Sequence, residues 1–591
     1  MRALFTLVTM LAAAAAYAQE AADAVAPEAG GVGAFDGLPE GLAASMSAKT
    51  EGRVVEAERW MIAAANPLAV QAGADVLAAG GSAADALVAV QVMLGLVEPQ
   101  SSGLGGGGFL VWYDAESGEV TTLDGREMAP LAATPQIFQD ETGAPLKFFD
   151  AVVGGLSVGT PGTPGLLEEA HRRWGDLAWG GLLASTETLA EAGFTVSPLL
   201  AMLVERDQER LTSSGVTASY FLPEGAPIQA GQTLKNPAYA ETLRAFAAEG
   251  AAAFYGGSVG RQIVAAVQGA AKPGLLSEVD LAIYQVKERP AVCAPYRAHE
   301  VCGMGPPSSG AVAVGQILGA LEAYDLSAGP QDADVRRLMG DAARLAFADR
   351  GLYLADSDFV PVPVPGLLDP GYMATRGALL STDKALETVA PGAPEWDHAG
   401  LWATGADMER PSTTHVSIVD ADGNVASMTS SIENGFGSRL MAGGFLLNNQ
   451  ITDFSFRSHR DGVPVANRAE PGKRPRSSMS PTIVMKDGAP VIALGSPGGS
   501  RIIGYVAQTI VAMLDWGMDA QQAVMVPHAV NRFGTYDLEE GTDAVALEAP
   551  LTDMGFEVGT RALTSGLHVI AIGDGLQGGA DPRREGIVYG E

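Results

Sequence analysis

The run TTHVSIVDADGNVASMTSS, from Thr413 to Ser431, constrains the fold more than any other part of the chain. Apolar and polar residues alternate on both sides of Asp420-Ala421-Asp422-Gly423-Asn424, a turn signal, so the run reads as a β-hairpin. With the turn centred on Asp422, Val419 faces Val425 and Thr413 faces Ser431, close enough for their hydroxyls to hydrogen-bond. A one-residue slip would break that pairing. The stretch before it, residues 385–412 (ALETVAPGAPEWDHAGLWATGADMERPS), carries Pro and Gly without periodicity and reads as a linker. The chain therefore leaves a linker and places adjacent hydroxyls at the head of a strand, about two-thirds of the way along its length.

That placement suits a particular chemistry. A threonine hydroxyl is a weak nucleophile without a base beside it. If the Ser412–Thr413 bond is cut, the freed α-amine has a pKa of about 7.7–8.0 and is well placed to take the hydroxyl proton. The same residues taken alone also describe an ordinary threonine-rich strand, because threonine favours strands.

Composition excludes some partners. Lys+Arg 37 against Asp+Glu 69 gives a formal charge of −32, which argues against binding nucleic acid phosphates. The start, MRALFTLVTMLAAAAAYAQ, has a positive residue, an apolar run and the small-x-small site Ala16-Tyr17-Ala18. It reads as a signal peptide over 1–18, because the apolar run is shorter than the roughly 20 residues of a spanning helix. The expected protein is exported, to a periplasm, with no membrane span once the signal is removed. Residues 19–55, rich in Ala, Gly, Glu and Pro, read as a flexible leader. Cys293 and Cys302 lie on what look like two neighbouring strand pieces. A disulfide and a pair of buried thiols both fit, whereas a zinc site does not.

Elsewhere, Asn66-Pro67 opens a helix that Gly80-Gly81 closes, and Ser82 caps a second helix apolar nearly all round. The glycine run 105–108 leads into the strand FLVWY and lacks the Lys-Ser/Thr of a phosphate loop, so tight backbone packing is its better reading. Residues 163–350 read as mainly helical. Strands are expected at 413–419, 425–432, 443–448, 481–485 and 490–494, then a helix near 500–516. Together these make an α+β body with a mixed or antiparallel sheet core.

From about Ala64 onward the chain resembles the γ-glutamyltransferase (glutathione hydrolase) family of N-terminal nucleophile enzymes. The resemblance rests on eight blocks in family order: NPLAVQAGADVLAAGGSAADALVA, SSGLGGGGF, LDGREMAP, PPSSG, STTHVSIVDADGN, LLNNQITDF, KRPRSSMSPTIV and GSPGGSRI. It implies a four-layer αββα sandwich, two stacked sheets between helical layers, made as a precursor that cuts itself between Ser412 and Thr413. A large subunit (56–412) and a small one (413–591) would remain as a heterodimer. Thr413 would be the nucleophile, and Ser431 stands where the family usually has a second threonine.

The resemblance also implies a binding site, with no metal or organic cofactor. Arg126 would take the α-carboxylate of a γ-glutamyl group through its rigid fork, assisted by Ser477 and Ser478. Gln450 and Asp453 would face the α-ammonium. The backbone N–H groups of Gly498 and Gly499 would form the oxyanion hole. The implied substrates are glutathione and similar amides, with water or an amino acid or peptide as acceptor. Two departures stand out. Glu433 replaces the asparagine common in family transpeptidases, and the segment between Asp453 and Ser477 is short and holds no tyrosine. Both also fit an alternative, a cephalosporin acylase that cleaves glutaryl amides.

Overall fold

The expected hairpin forms in the expected register. In the computed structural model, which describes residue 35 and residues 37–398, 401–405 and 412–591, Thr414–Val419 pairs antiparallel with Val425–Ser431, Val419 opposite Val425 and Thr414 opposite Ser430. The hairpin sits in the middle of a seven-stranded sheet. Its order is Ile587–Gly590, Met61–Ala64, Thr414–Val419, Val425–Ser431, Gly107–Tyr113, Val120–Gly125 and Lys287–Pro290. Every neighbouring pair is antiparallel.

A second antiparallel sheet of seven strands stacks on the first, with Ala489–Gly495 and Thr482–Lys486 at its centre. Period-two alternation decides what each face does. Val416, Ile418, Ala426 and Met428 point away from the second sheet, into a core shared with the helices Pro67–Ala78 and Ala83–Val97. Val419 and Val425 point the other way and pack against Ile483, Ala493 and Ile570 of the second sheet. The outer face of that sheet, through Val301, Val484, Ile492 and Val569, meets the helices Gly310–Leu321, Ala333–Tyr353 and Ile502–Leu514. The layers run helix, sheet, sheet, helix: an α+β αββα sandwich.

Local chemistry accounts for the element ends. Asn66 caps Pro67–Ala78 by accepting from the N–H of Leu68, and Ser82 and Asp85 form a reciprocal capping box at the start of Ala83–Val97. All fifteen residues of that second helix are buried, as its all-round apolar sequence requires. In the glycine run, a Cβ on Gly106 would stand 2.1 Å from the carbonyl oxygen of Ser431. Those glycines therefore let one backbone press against another. Cys293 and Cys302 face each other across Val292–Tyr296 and His299–Gly303 and are joined by a disulfide.

The leader needs correction. Glu40–Thr50 is a helix that buries Leu42, Ser45 and Ala48, and Val55–Ala57 pairs with the strand Leu576–Ala580. Its partner lies at the far end of the chain, where Tyr589 packs against Gly41. Composition alone carries no sign of such a contact. The proposed signal peptide lies outside the described residues, as do residues 19–34. Among the described residues, no helix is long and apolar enough to cross a membrane. The helical stretch 163–350 is interrupted by the short strands Phe194–Thr195 and Thr233–Leu234 and by three more between 287 and 303.

Candidate active site

Thr413 stands just before the strand Thr414–Val419, where the register brings it to Ser431. Thr413 Oγ1 lies 3.0 Å from Ser431 Oγ. Ser431 Oγ in turn accepts the backbone N–H of Glu433 at 2.9 Å. Both hydroxyls are buried. Thr413 has φ 91°, a left-handed value that costs a β-branched residue about 1–3 kcal/mol and persists only where the surroundings impose it.

The surroundings are visible on both sides of the Ser412–Thr413 bond. The carbonyl of Ser412 accepts the N–H of Gly498 at 3.2 Å, and the Ser412 hydroxyl donates to the carbonyl of Gln100. The carbonyl of Thr413 accepts from Arg584 Nη1 at 3.4 Å. Gly498 and Gly499 have φ of 136° and 59°, a combination suited to glycine. The strained bond is thus gripped at both carbonyls, and the carbon a Thr413 oxygen would attack already carries an N–H on its oxygen.

Beside Thr413 and Ser431, the pocket wall is made by Arg126, Glu433, Gln450, Asp453, Ser477 and Gly499. Arg126 follows the strand Val120–Gly125, and Gln450–Asp453 is a single 3-10 turn that points both side chains the same way. Asp453 Oδ2 accepts from Arg126 Nη2 and from Gln450 Nε2, each at 2.6 Å. The fork of Arg126 is further held by the carbonyls of Pro475 and Arg476. Glu433, at φ 75°, accepts from the side-chain amide of Asn449. Ser477 lines the pocket. Ser478 stands behind it, fully buried, taking a hydrogen bond from Arg350 Nη2 at 2.7 Å.

Two more carboxyls belong to this neighbourhood. Glu127 is wholly buried, its Oε2 3.8 Å from Arg126 Nη1, and neither of its oxygens has a hydrogen-bond partner among the described residues. Burial pushes its pKa up to about 8 against the pull of Arg126, with Asp453 and Asp124 adding to the rise. Glu98 accepts from Thr414 Oγ1 and lies 3.9 Å from Arg584; burial raises it to about 7. Sequence reasoning missed Glu98, Glu127, Asn449, Gln100 and Arg584. Glu127 and Asn449 stand inside motifs already singled out, one residue from Arg126 and Gln450. Gln100 and Arg584 offered no signal, because one acts through its backbone carbonyl and the other sits 171 residues from Thr413.

A four-layer sandwich with a pair of hydroxyls at the head of a central strand has the architecture of the N-terminal nucleophile hydrolases. Residues 69–591 match the family model described as Gamma-glutamyltranspeptidase. The chain is 37% identical over 549 residues to the glutathione hydrolase proenzyme of Bacillus subtilis (strain 168), covering 90% of this chain and 91% of that one. It is 36% identical over 547 residues to the glutathione hydrolase proenzyme of Escherichia coli (strain K12), with the same two shares, 90% and 91%. Among solved structures, the cephalosporin acylase from Bacillus halodurans superposes with a TM-score of 0.80 at 26% identity, covering 91% of this chain and 97% of that one. The chain belongs to the gamma-glutamyltranspeptidase family.

Proposed function

We propose that the protein cuts itself between Ser412 and Thr413 and that the freed Thr413 then removes γ-glutamyl groups from glutathione and related amides, passing them to water or to an amino acid or peptide. The observation that carries this reading is the single pocket that joins the Thr413–Ser431 hydroxyl pair to Arg126, Gln450 and Asp453.

In the first reaction the Thr413 oxygen attacks the Ser412 carbonyl carbon. Negative charge gathers on the carbonyl oxygen, where the N–H of Gly498 already points. The C–N bond breaks as the Thr413 nitrogen takes a proton, and water hydrolyses the resulting ester. Ser412 is left with a carboxylate and Thr413 with a free amine. The central sheet interleaves strands from both sides of the cut, Met61–Ala64 and Gly107–Tyr113 flanking the hairpin. That shared core supports a heterodimer that stays together after cleavage.

In the second reaction the amine takes the hydroxyl proton, and the Thr413 oxygen attacks the γ-carbonyl of the substrate. Gly498 and Gly499 meet the oxyanion, the leaving amine carries off a proton, and water or an acceptor amine releases the acyl group. Ser431 holds the nucleophile in place. Arg126 and Ser477 receive the α-carboxylate, while Asp453, Gln450 and Glu433 receive the α-ammonium. The signal-like sequence of residues 1–18 and the Cys293–Cys302 disulfide support export to an oxidising compartment, a periplasm.

A second reading, a glutaryl acylase, is favoured by Glu433 and by the likeness to the cephalosporin acylase structure. Glutaryl lacks the ammonium, so it would leave the carboxylates of Asp453 and Glu433 facing no cation on the ligand, a costly arrangement in a buried site. Parallel assays of γ-glutamyl- and glutaryl-p-nitroanilide separate the two. The expected preference is γ-glutamyl by on the order of 100-fold in kcat/KM. Equal or reversed rates would replace the first reading by the second.

A further inference from the structure

The segment 433–439 follows the strand Val425–Ser431, carries Glu433 into the pocket wall and leads on to Met441–Ala442. Three of its residues other than glycine hold left-handed backbone: Glu433 at φ 75°, Phe436 at 67° and Arg439 at 64°. Glycine adopts such angles without strain, whereas larger residues keep them only where the surroundings impose it. At position 439 the backbone alone would favour glycine. What an arginine adds there is its side chain.

That side chain is buried, and all three of its nitrogens are engaged. Arg439 Nε donates to Asp207 Oδ2 at 2.8 Å, Nη1 to the carbonyl of Gly437 at 2.5 Å and Nη2 to Asn434 Oδ1 at 2.8 Å. Asp207 stands on the helix Pro198–Leu211, on the other side of the proposed cut, and its second oxygen accepts from Arg210 Nη1 at 2.8 Å. The ring of Phe149 lies against both guanidinium groups, 3.7 Å from that of Arg210 and 5.6 Å from that of Arg439. The carbonyl of Arg439 accepts from Thr217 Oγ1 at 2.7 Å.

From Arg439 the contacts lead to Glu433. Asn434, held by the arginine, gives its backbone N–H to Asn449 Oδ1 at 3.0 Å. That bond fixes which way the Asn449 amide faces, and its Nδ2 donates to Glu433 Oε2. Arg439 itself does not line the pocket, so it acts there through Glu433.

We infer that Arg439, clamped by Asp207, is a positioning residue that sets the Glu433 carboxylate in the pocket wall and with it the preference for a donor that bears a cation on its acyl chain. The inference rests on the γ-glutamyl reading above and names the residues behind one of its contacts. A planar fork reaches Asp207, Gly437 and Asn434 at once, which the point charge of a lysine does not. Without the fork, Asn434 and the Asn449 amide lose the hold that aims Glu433, and the ammonium loses an acceptor.

The test uses the full-length, self-processed enzyme with γ-glutamyl- and glutaryl-p-nitroanilide, donors that differ only in the ammonium. Arg439→Gly removes the fork at a backbone angle glycine adopts freely, and Arg210 keeps Asp207 paired. It should raise KM for the γ-glutamyl donor about tenfold, change kcat by less than about threefold, and lower the γ-glutamyl to glutaryl ratio in kcat/KM by about tenfold. Arg439→Lys should lose part of that ratio. Asn434→Ala, which removes no charge, should lower the ratio to a similar degree. The double variant should fall no further, because both side chains act through one line of contacts. If Arg439→Gly gives no processed enzyme, Asn434→Ala decides alone. A ratio that stays at the wild-type value in Asn434→Ala, or a kcat that falls alike for both donors in either variant, overturns the positioning role and leaves the γ-glutamyl reading intact. A wild type that handles the two donors equally overturns that reading, and the inference with it.

Discussion

Arg126 and Asp453 stand 327 residues apart in the sequence and 2.6 Å apart in the fold, Nη2 to Oδ2. Both side chains are buried, and they belong to opposite sides of the proposed cut. Under the proposed self-cleavage the pocket would be assembled from both products, with the cation and the carboxylate proposed to receive a zwitterion already aligned against each other. Replacing Arg126 by Lys keeps a charge but loses the fork that reaches Asp453, Pro475 and Arg476 at once. KM for γ-glutamyl-p-nitroanilide should rise on the order of tenfold or more, with self-cleavage intact. An unchanged KM would remove Arg126 from substrate recognition.

Ser431→Ala should slow both self-cleavage and turnover, each by about 100-fold, because Thr413 loses the hydroxyl that positions its oxygen. Ser431→Thr should restore both, since the hydroxyl returns to the same place in the register. Time courses of chain cleavage and of nitroaniline release measure the two effects separately. Rescue of neither by threonine would show that Ser431 acts through packing alone.

Gly498→Ala tests the oxyanion donor. A Cβ there would stand 2.7 Å from the ring of Tyr505, at a φ of 136°, so the backbone must shift and carry its N–H off the Ser412 carbonyl. Loss of one such donor costs about 100- to 1000-fold in rate. The precursor should accumulate, with slow processing visible over hours. Normal processing would place the oxyanion donor elsewhere.

Glu127 gives the fold a pH signature. Burial raises its carboxyl to about 8, so the folded protein holds a proton there that the unfolded chain gives up near the ordinary glutamate value. Its contribution to stability is fully present at acid pH, below the unfolded pKa, and is lost as pH rises through about 8. Relative to Glu127→Gln, the wild-type Tm should fall between about pH 4.5 and 8. Parallel melting curves across that range check it, and superimposable pH profiles would contradict it.

The Thr413–Ser431 pair was legible because one hairpin carries it, whereas Arg126, Gln450, Asp453 and Ser477 were named only through the family resemblance. The alternation of Val416, Ile418, Ala426 and Met428 sets the register, and the register alone places Thr413 opposite Ser431. The cysteines could be located on adjacent strands but not paired, since pairing depends on Cβ directions that only the register of Val292–Tyr296 with His299–Gly303 supplies. The helix Glu40–Thr50 escaped because its burial depends on Tyr589, more than 500 residues away. Most of the grip on the Ser412–Thr413 bond was equally hidden. Apart from the N–H of Gly498, which the block GSPGGSRI already marked, it is made by a backbone carbonyl at Gln100 and the remote Arg584, neither of which leaves a local pattern.

Denaturing electrophoresis of the purified wild type beside Thr413→Ala, with N-terminal sequencing of the smaller band, tests self-cleavage most directly. The wild type should give two bands, the smaller beginning Thr-Thr-His, and Thr413→Ala should remain one chain without activity. A wild type that stays a single chain and still hydrolyses γ-glutamyl-p-nitroanilide would contradict a nucleophile made by cutting at Ser412–Thr413.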